Sequence, residues 1–262
     1  MQGDNQPACP LLYSLRGFRF CDLLLAAPER AAWQMCMGSE GFQPAVSGIM
    51  PELRERAAEG MAPESPREAS SRAAQDVRNT LIESCRSVSR RSTLTFKWAQ
   101  TTREDILSIP LDHLTLGRAA LYSAILANSN IRMLMLASSH IDPAVDGIRG
   151  AGTQQFLPLA LLTRAWQRSL AGALTSAQAG PDSAQSDLDE AWEIAERGPM
   201  PLFLADIHLH WARLFGRMTG EPLKYPWESP QHDLAEARRL IVKHGYLRRL
   251  PELEDAEAAI LG

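Results

Sequence analysis

His208 and His210 stand two residues apart in the run PLFLADIHLHWARLF, a spacing that invites a metal site. On a helix, positions i and i+2 point roughly 200° apart, so the two rings cannot share one ion. The i, i+4 histidine pair with an intervening Glu, which zinc proteases use, is absent. His113, His140, His232 and His244 stand alone in the sequence and read as surface or capping residues. Gly147, Gly150 and Gly152 cluster, but without the Lys of a phosphate loop, so they read as a helix terminus. No GxSxG elbow occurs, and Cys9, Cys21, Cys36 and Cys85 form no CxxC pair. The residue types therefore imply no nucleophile, metal or cofactor.

Polar side chains at helical spacing remain. Between Pro201 and Gly216 one apolar row is Leu202, Ala205, Leu209 and Ala212, and a second is Leu204, Ile207, Trp211 and Leu214. They leave a narrow polar stripe of Asp206, His210, Arg213 and Arg217, read as the one wet edge of a helix buried on two sides. Asp206, His210 and Arg213, with Arg118, Arg164 and Arg168 from earlier apolar segments, are the candidate binding residues. They are expected to line a mixed, mainly basic groove suited to an acidic peptide. The bland alternative is a solvated face.

The elements that must position them read as helices throughout. Aromatics are only 6% of 262 residues, and Ala and Leu are abundant, which favours helix. An N-terminal repeat-like helix lies within 1–36, with helical spacing from Leu11 to Ala27 and Pro28 as its punctuation. Residues 37–67 are rich in Gly and Pro and read as a linker or loop. Residues 68–100 form a long amphipathic helix on the stripe Ala74, Val77, Leu81, Cys85 and Val88. Residues 101–262 form a helical repeat domain.

Within that domain, Gly152, Gly198 and Gly245 end three segments at spacings of 46 and 47, and Ala144, Ala191 and Ala237 repeat at 47 and 46. Asp142-Pro143 and Ser229-Pro230 read as N-cap and first helical position, and Ser186 with Asp189 as a variant capping box. More apolar partners, Leu111–Ala127, Phe156–Gly172 and Pro201–Gly216, alternate with these segments, and Pro251–Leu261 reads as a closing helix. Such units bury their apolar faces only by stacking.

The runs DLDEAWEIAERGPMPLFLADIHLHWARLF (187–215) and HDLAEARRLIVKHGYLRRLPELEDAEAAI (232–260) resemble the degenerate tetratricopeptide-type repeats of many bacterial proteins. LDHLTLGRAALYSAIL (111–126) and FLPLALLTRAWQRSLAG (156–172) resemble their partner helices. The resemblance implies an all-α fold, an α-α superhelix or solenoid of helix pairs. Such arrays often lie downstream of a nucleotide-binding switch domain, which implies a detached repeat arm of a bacterial signalling protein. The usual repeat is about 34 residues. The excess here falls in Ala173–Gln185 and Arg217–Glu228, expected as protruding loops. A period in the forties also suits HEAT-like repeats, the alternative fold.

Net charge is −4, and Asp187, Asp189, Glu190 and Glu193 break any basic face, so nucleic acid is not an expected partner. No stretch approaches the roughly 20 apolar residues of a membrane helix. Unpaired thiols fit a reducing cytoplasm. The expected function is non-catalytic protein–protein interaction or scaffolding through a protein or peptide partner. The alternative is an enzyme with a site in the inter-helix groove.

Overall fold

The computed structural model describes residues 11–12, 14–38, 66–102, 106–128, 131–216 and 225–262. Ten α-helices and no strand occur among them. They are α1 (Ser14–Cys36), α2 (Pro66–Thr102), α3 (Ser108–Leu126), α4 (Ile131–Gly150) and α5 (Leu157–Leu170). After these come α6 (Ser176–Ala179), α7 (Ala184–Arg197), α8 (Pro201–Phe215), α9 (Pro230–Lys243) and α10 (Leu250–Leu261). The all-helical reading holds, and the apolar partner helices start and stop within three residues of expectation. Most of the linker, 39–65, lies outside the described residues.

Successive helices pack as hairpins, α3 on α4, α5 on α7 with the one-turn α6 in their connection, and α8 on α9. The second helix of each hairpin also packs on the first helix of the next. The first helices touch in a row, α1 to α3, α3 to α5, α5 to α8, and α8 to α10. The repeated alanines Ala144, Ala191 and Ala237 are fully buried in these contacts, where a small side chain lets helices approach.

Four local expectations change. First, α1 runs through Pro28 to Cys36. Proline removes the N–H that would bond the Leu24 carbonyl, but Leu24 is exposed, so water can replace that bond. Glu29 and Trp33 beyond it are buried anchors. Second, Asp142-Pro143 starts no helix. It lies inside α4, where Asp142 Oδ2 accepts from Ser138 Oγ at 2.9 Å and the stripe Ala137, Ile141, Ala144, Ile148 is continuous. Third, the cap of α7 is Ser183, whose Oγ accepts from the Ser186 N–H at 3.1 Å, three residues before the expected cap. Ser229 caps α9 as expected, accepting from the His232 N–H at 3.0 Å. Fourth, Gly152 and Gly245 take the left-handed conformation, with φ of 68° and 66°, but Gly198 does not. A Cβ there would lie 2.6 Å from Met200 Cε, which the flexible side chain can relieve, and 3.1 Å from the Ile194 carbonyl oxygen, a tight backbone contact.

The Ala173–Gln185 segment is strapped down, with Ala184 N–H donating to Ala173 O at 2.8 Å and Gln185 N–H to Leu174 O at 3.0 Å. In the second expected loop, 217–224 lies outside the described residues. Beyond it, Trp227 stacks on Trp211 with ring centroids 4.5 Å apart.

Candidate functional site

Asp206, His210 and Arg213 are not a wet edge: each is about 95% buried. The covering element is α1. Trp33 stacks on Trp166 of α5, ring centroids 3.7 Å apart and 11° from parallel, and meets the His210 ring edge-on at 5.2 Å. The Arg213 guanidinium lies 4.8 Å from the centre of the Trp33 ring. Its Nη2 donates to the Glu252 carbonyl at 2.9 Å, while Nε and Nη1 find no acceptor among the described residues. The indole face stands in for those missing acceptors.

Arg118, expected on the groove wall, is fully buried under α1. It donates to Asp22 Oδ1 and Glu29 Oε2, each at 2.9 Å, and through Nε to Tyr122 Oη at 3.1 Å. Glu29 uses its other oxygen on Arg249 Nη1 at 3.0 Å, and Arg249 also pairs with Glu252 at 2.6 Å. Asp206 Oδ1 lies 3.0 Å from Arg249 Nε, off the hydrogen-bond direction, and its Oδ2 accepts from Tyr246 Oη at 3.2 Å. Asp22, Glu29, Asp206 and Glu252 thus balance Arg118, Arg213, Arg248 and Arg249. Burial opposes the charge on Glu29, but Arg249 and Arg118 outweigh it and hold the carboxyl well below its usual range. Asp206 has less compensation. Burial pushes its carboxyl up to about 6 against the pull of Arg249. Burial and Arg213 push the His210 ring down to about 3, so it is neutral.

Arg164 and Arg168 belong elsewhere. Arg164 forks onto Asp187 at 2.6–3.1 Å, and Arg168 reaches Asp187 at 3.1 Å and Asp182 at 3.0 Å. They staple α5 to α7. His208 and His210 diverge as their spacing requires: His208 Nδ1 pairs with Asp233 Oδ1 of α9 at 2.9 Å, while His210 Nδ1 meets the Asp206 carbonyl at 2.7 Å. The Tyr225 hydroxyl donates to the other Asp233 oxygen. His113 and His140 are not isolated, since their Nδ1 atoms lie 3.0 Å apart across the α3–α4 contact. Among the described residues no group of three or more His, Cys, Asp or Glu could hold a metal ion.

A cleft of about 490 Å³ opens beside the charge network. Phe18 of α1, Phe156 and Leu159 at the start of α5, and Leu202 and Phe203 at the start of α8 wall it. Asp206, Tyr246 and Arg249 lie along it, and Arg19, Asp22 and Arg248 border it. Its size falls in the range of about 300–1,000 Å³ typical of ligand sites, and the mix of apolar walls with a few polar groups is characteristic of them. Of the predicted site residues only Asp206 lines it. The others are behind its wall or on the α5–α7 seam. Arg19, Asp22, Tyr246, Arg248 and Arg249 were missed. The signal that could have found Asp22 is its place seven residues before Glu29 on the same face of α1 as Trp33, a polar pattern that demands buried partners.

No protein-family model, curated protein or solved structure matches the chain. No helix among the described residues is long and apolar enough to cross a membrane.

Proposed function

We propose that the chain is a non-catalytic interaction module, an α-α superhelix of tetratricopeptide-like hairpins that binds a peptide segment of a partner protein. The row of first helices α1, α3, α5, α8 and α10 supplies the inner face of such an array. On this reading α1 fills the middle of that face, and the docking site is the part left open. One observation carries the proposal: the apolar cleft between α1, α5 and α8, rimmed by Arg19 and Arg248. Groove-bound peptides seat apolar anchors in such walls and charged groups on the rim.

Affinity selection from a random dodecapeptide library with free ends, read by mass spectrometry, tests this. Peptides enriched on the wild-type chain and lost on a Leu159→Arg variant, which puts a charge on the cleft wall, are expected. No enrichment, or enrichment indifferent to Leu159→Arg, would sink the reading.

A second reading, an enzyme, is favoured by Asp206 alone: a carboxyl held near pH 6 beside a cleft suits proton transfer. Asp22, Asp206 and Tyr246 are the cleft groups that could form a covalent intermediate, and each is already held, Asp22 by Arg118 and Asp206 by Arg249 and Tyr246, which supports binding over nucleophilic chemistry. An activity limb near pH 6 that disappears in Asp206→Asn would reverse the preference.

A further inference from the structure

We infer that a second docking surface lies away from the cleft: the groove between α2 and α4 binds an acidic amphipathic helix of a partner protein. It shares no lining residue with the cleft, so either reading can fail without the other.

The array itself marks this groove as unfilled. α2 packs on α3 as the second helix of each hairpin packs on the first helix of the next. Each pair of successive second helices therefore flanks a groove floored by the first helix between them. The chain closes two such grooves with its own side chains. Between α4 and α7, Arg149 reaches Glu190 at 2.7 Å, and Arg164 from the floor pairs with Asp187 at 2.6 Å. Between α7 and α9, Trp227 stacks on Trp211 of the floor and donates to Asp189 of α7 at 3.3 Å. The groove between α2 and α4 is open, with a volume of about 450 Å³. Its floor is low, with Ala120 and Ser123 of α3 where the last groove carries Trp211. Ile82 of α2 and Leu136 of α4 are its apolar walls, and Leu136 is left 47% exposed.

Charge and backbone chemistry select the occupant. Arg86 and Arg90 line the α2 side, both exposed, and no carboxylate lines the groove among the described residues. Glu83 accepts from both, from Arg86 at 3.4 Å and from Arg90 at 2.7 Å. One carboxylate shared by two guanidinium groups leaves the edge with a net positive charge. Beyond Glu83, α2 has no acidic residue, while Arg86, Arg90, Arg91 and Lys97 follow it. A partner with acidic flanks is thus complementary, and a basic one is repelled. Ile82, Ala120 and Leu136 offer no side-chain partners to an extended backbone, whose amides would be left unpaired. A helix satisfies its own backbone and lays apolar side chains at i, i+3, i+4 and i+7 into such a groove.

The test is phage display, on the full chain, of helices of about 18 residues. One face is apolar, and both flanks are randomised over Asp, Glu, Lys, Arg, Gln and Ser. The expected winners carry Asp or Glu on the flanks, and the best is synthesised with a fluorescent label and read by anisotropy. Leu136→Gln, and Arg86→Glu combined with Arg90→Glu, are exposed substitutions, and each should weaken binding about tenfold or more. Thermal melts confirm their folds. A lysine-flanked copy of the same helix should prefer the charge-reversed variant, and Leu159→Arg in the cleft wall should leave binding unchanged. No enrichment, or winners indifferent to Leu136→Gln, overturns the inference, and winners with basic flanks overturn the acidic class. Self-association of the chain through Leu136, read by sedimentation, would assign the groove to a second copy instead. Capture of phosphatidylglycerol vesicles through Arg86 and Arg90, in place of helix binding, would assign it to lipid. Either outcome overturns the partner helix and leaves the cleft reading standing.

Discussion

Glu29 reaches Arg249 at 3.0 Å across 220 residues of chain, joining the first helix to the turn before the last. The same carboxylate holds Arg118, so its charge satisfies two buried guanidinium groups at once. Removing one partner of a buried ionic cluster strands the others without water. Glu29→Gln is therefore expected to cost about 3–5 kcal/mol of unfolding free energy. The control is Arg30→Ala, which breaks the part-exposed pair of Arg30 with Asp255 and should cost about 1 kcal/mol or less. Urea denaturation of both variants decides it. Equal costs would mean that the cluster does not hold α1 to the C-terminal end.

The Trp33–Trp166 stack predicts a spectroscopic signature as well as a stability cost. Both rings are almost completely buried, so Trp33→Ala leaves a large void and should cost about 3–5 kcal/mol. Parallel indoles 3.7 Å apart couple their transitions, so near-ultraviolet dichroism should change when either is replaced. The difference spectra for Trp33→Phe and Trp166→Phe should share that component, and the double variant should lose it only once. Fully additive spectra would mean that the rings are not in contact.

What the sequence revealed and what it hid follow from different physics. Helix positions were legible because apolar periodicity and terminal signals are local, as at Ser229 and Gly245. Pro143 misled because its local signal is a helix start, while the apolar stripe through Ile141 and Ile148 overrides it. Asp206, His210 and Arg213 do fall in one helix, at the spacing that groups them on one face, but the surroundings of that face were not legible. Whether a charged row faces water depends on what lies opposite. Here that is α1, some 170–190 residues earlier in the chain. The cleft was invisible for the same reason, being shared by α1, α5, α8 and the turn before α10.

Close helix approach makes two glycines behave oppositely. Gly117 lies in α3 against α4, where a Cβ would sit 2.6 Å from Ile141 Cγ1 and 3.3 Å from the Ile141 nitrogen. Alanine would gain about 1 kcal/mol of helix propensity at an open site. In this packed seam overpacking should outweigh it, giving Gly117→Ala a net loss of about 1–3 kcal/mol. Gly150, at the end of α4, meets nothing within 4 Å. Gly150→Ala should then be neutral or stabilising by up to about 1 kcal/mol. Thermal melts that move both variants the same way would refute the close α3–α4 contact.

Asp206 gives the fold a pH dependence of definite sign. Its folded carboxyl titrates at about 6, above the ordinary value of 3.8, because burial disfavours its charge more than Arg249 favours it. Between those values the folded chain binds more protons than the unfolded chain. The contribution is fully present below about pH 4 and is lost as pH rises through 6. His210 runs the other way: its ring titrates at about 3 when folded, so its contribution is present above about 6.5 and is lost as pH falls. Comparing wild type with Asp206→Asn isolates the first group, since His210 is common to both. The stability advantage of wild type should shrink by about 2–3 kcal/mol from pH 4 to pH 7 and change little above that. Urea midpoints at unit steps of pH provide the measurement. Parallel curves for the two proteins would show that Asp206 titrates normally and is not held in the dry, arginine-lined environment beside the cleft.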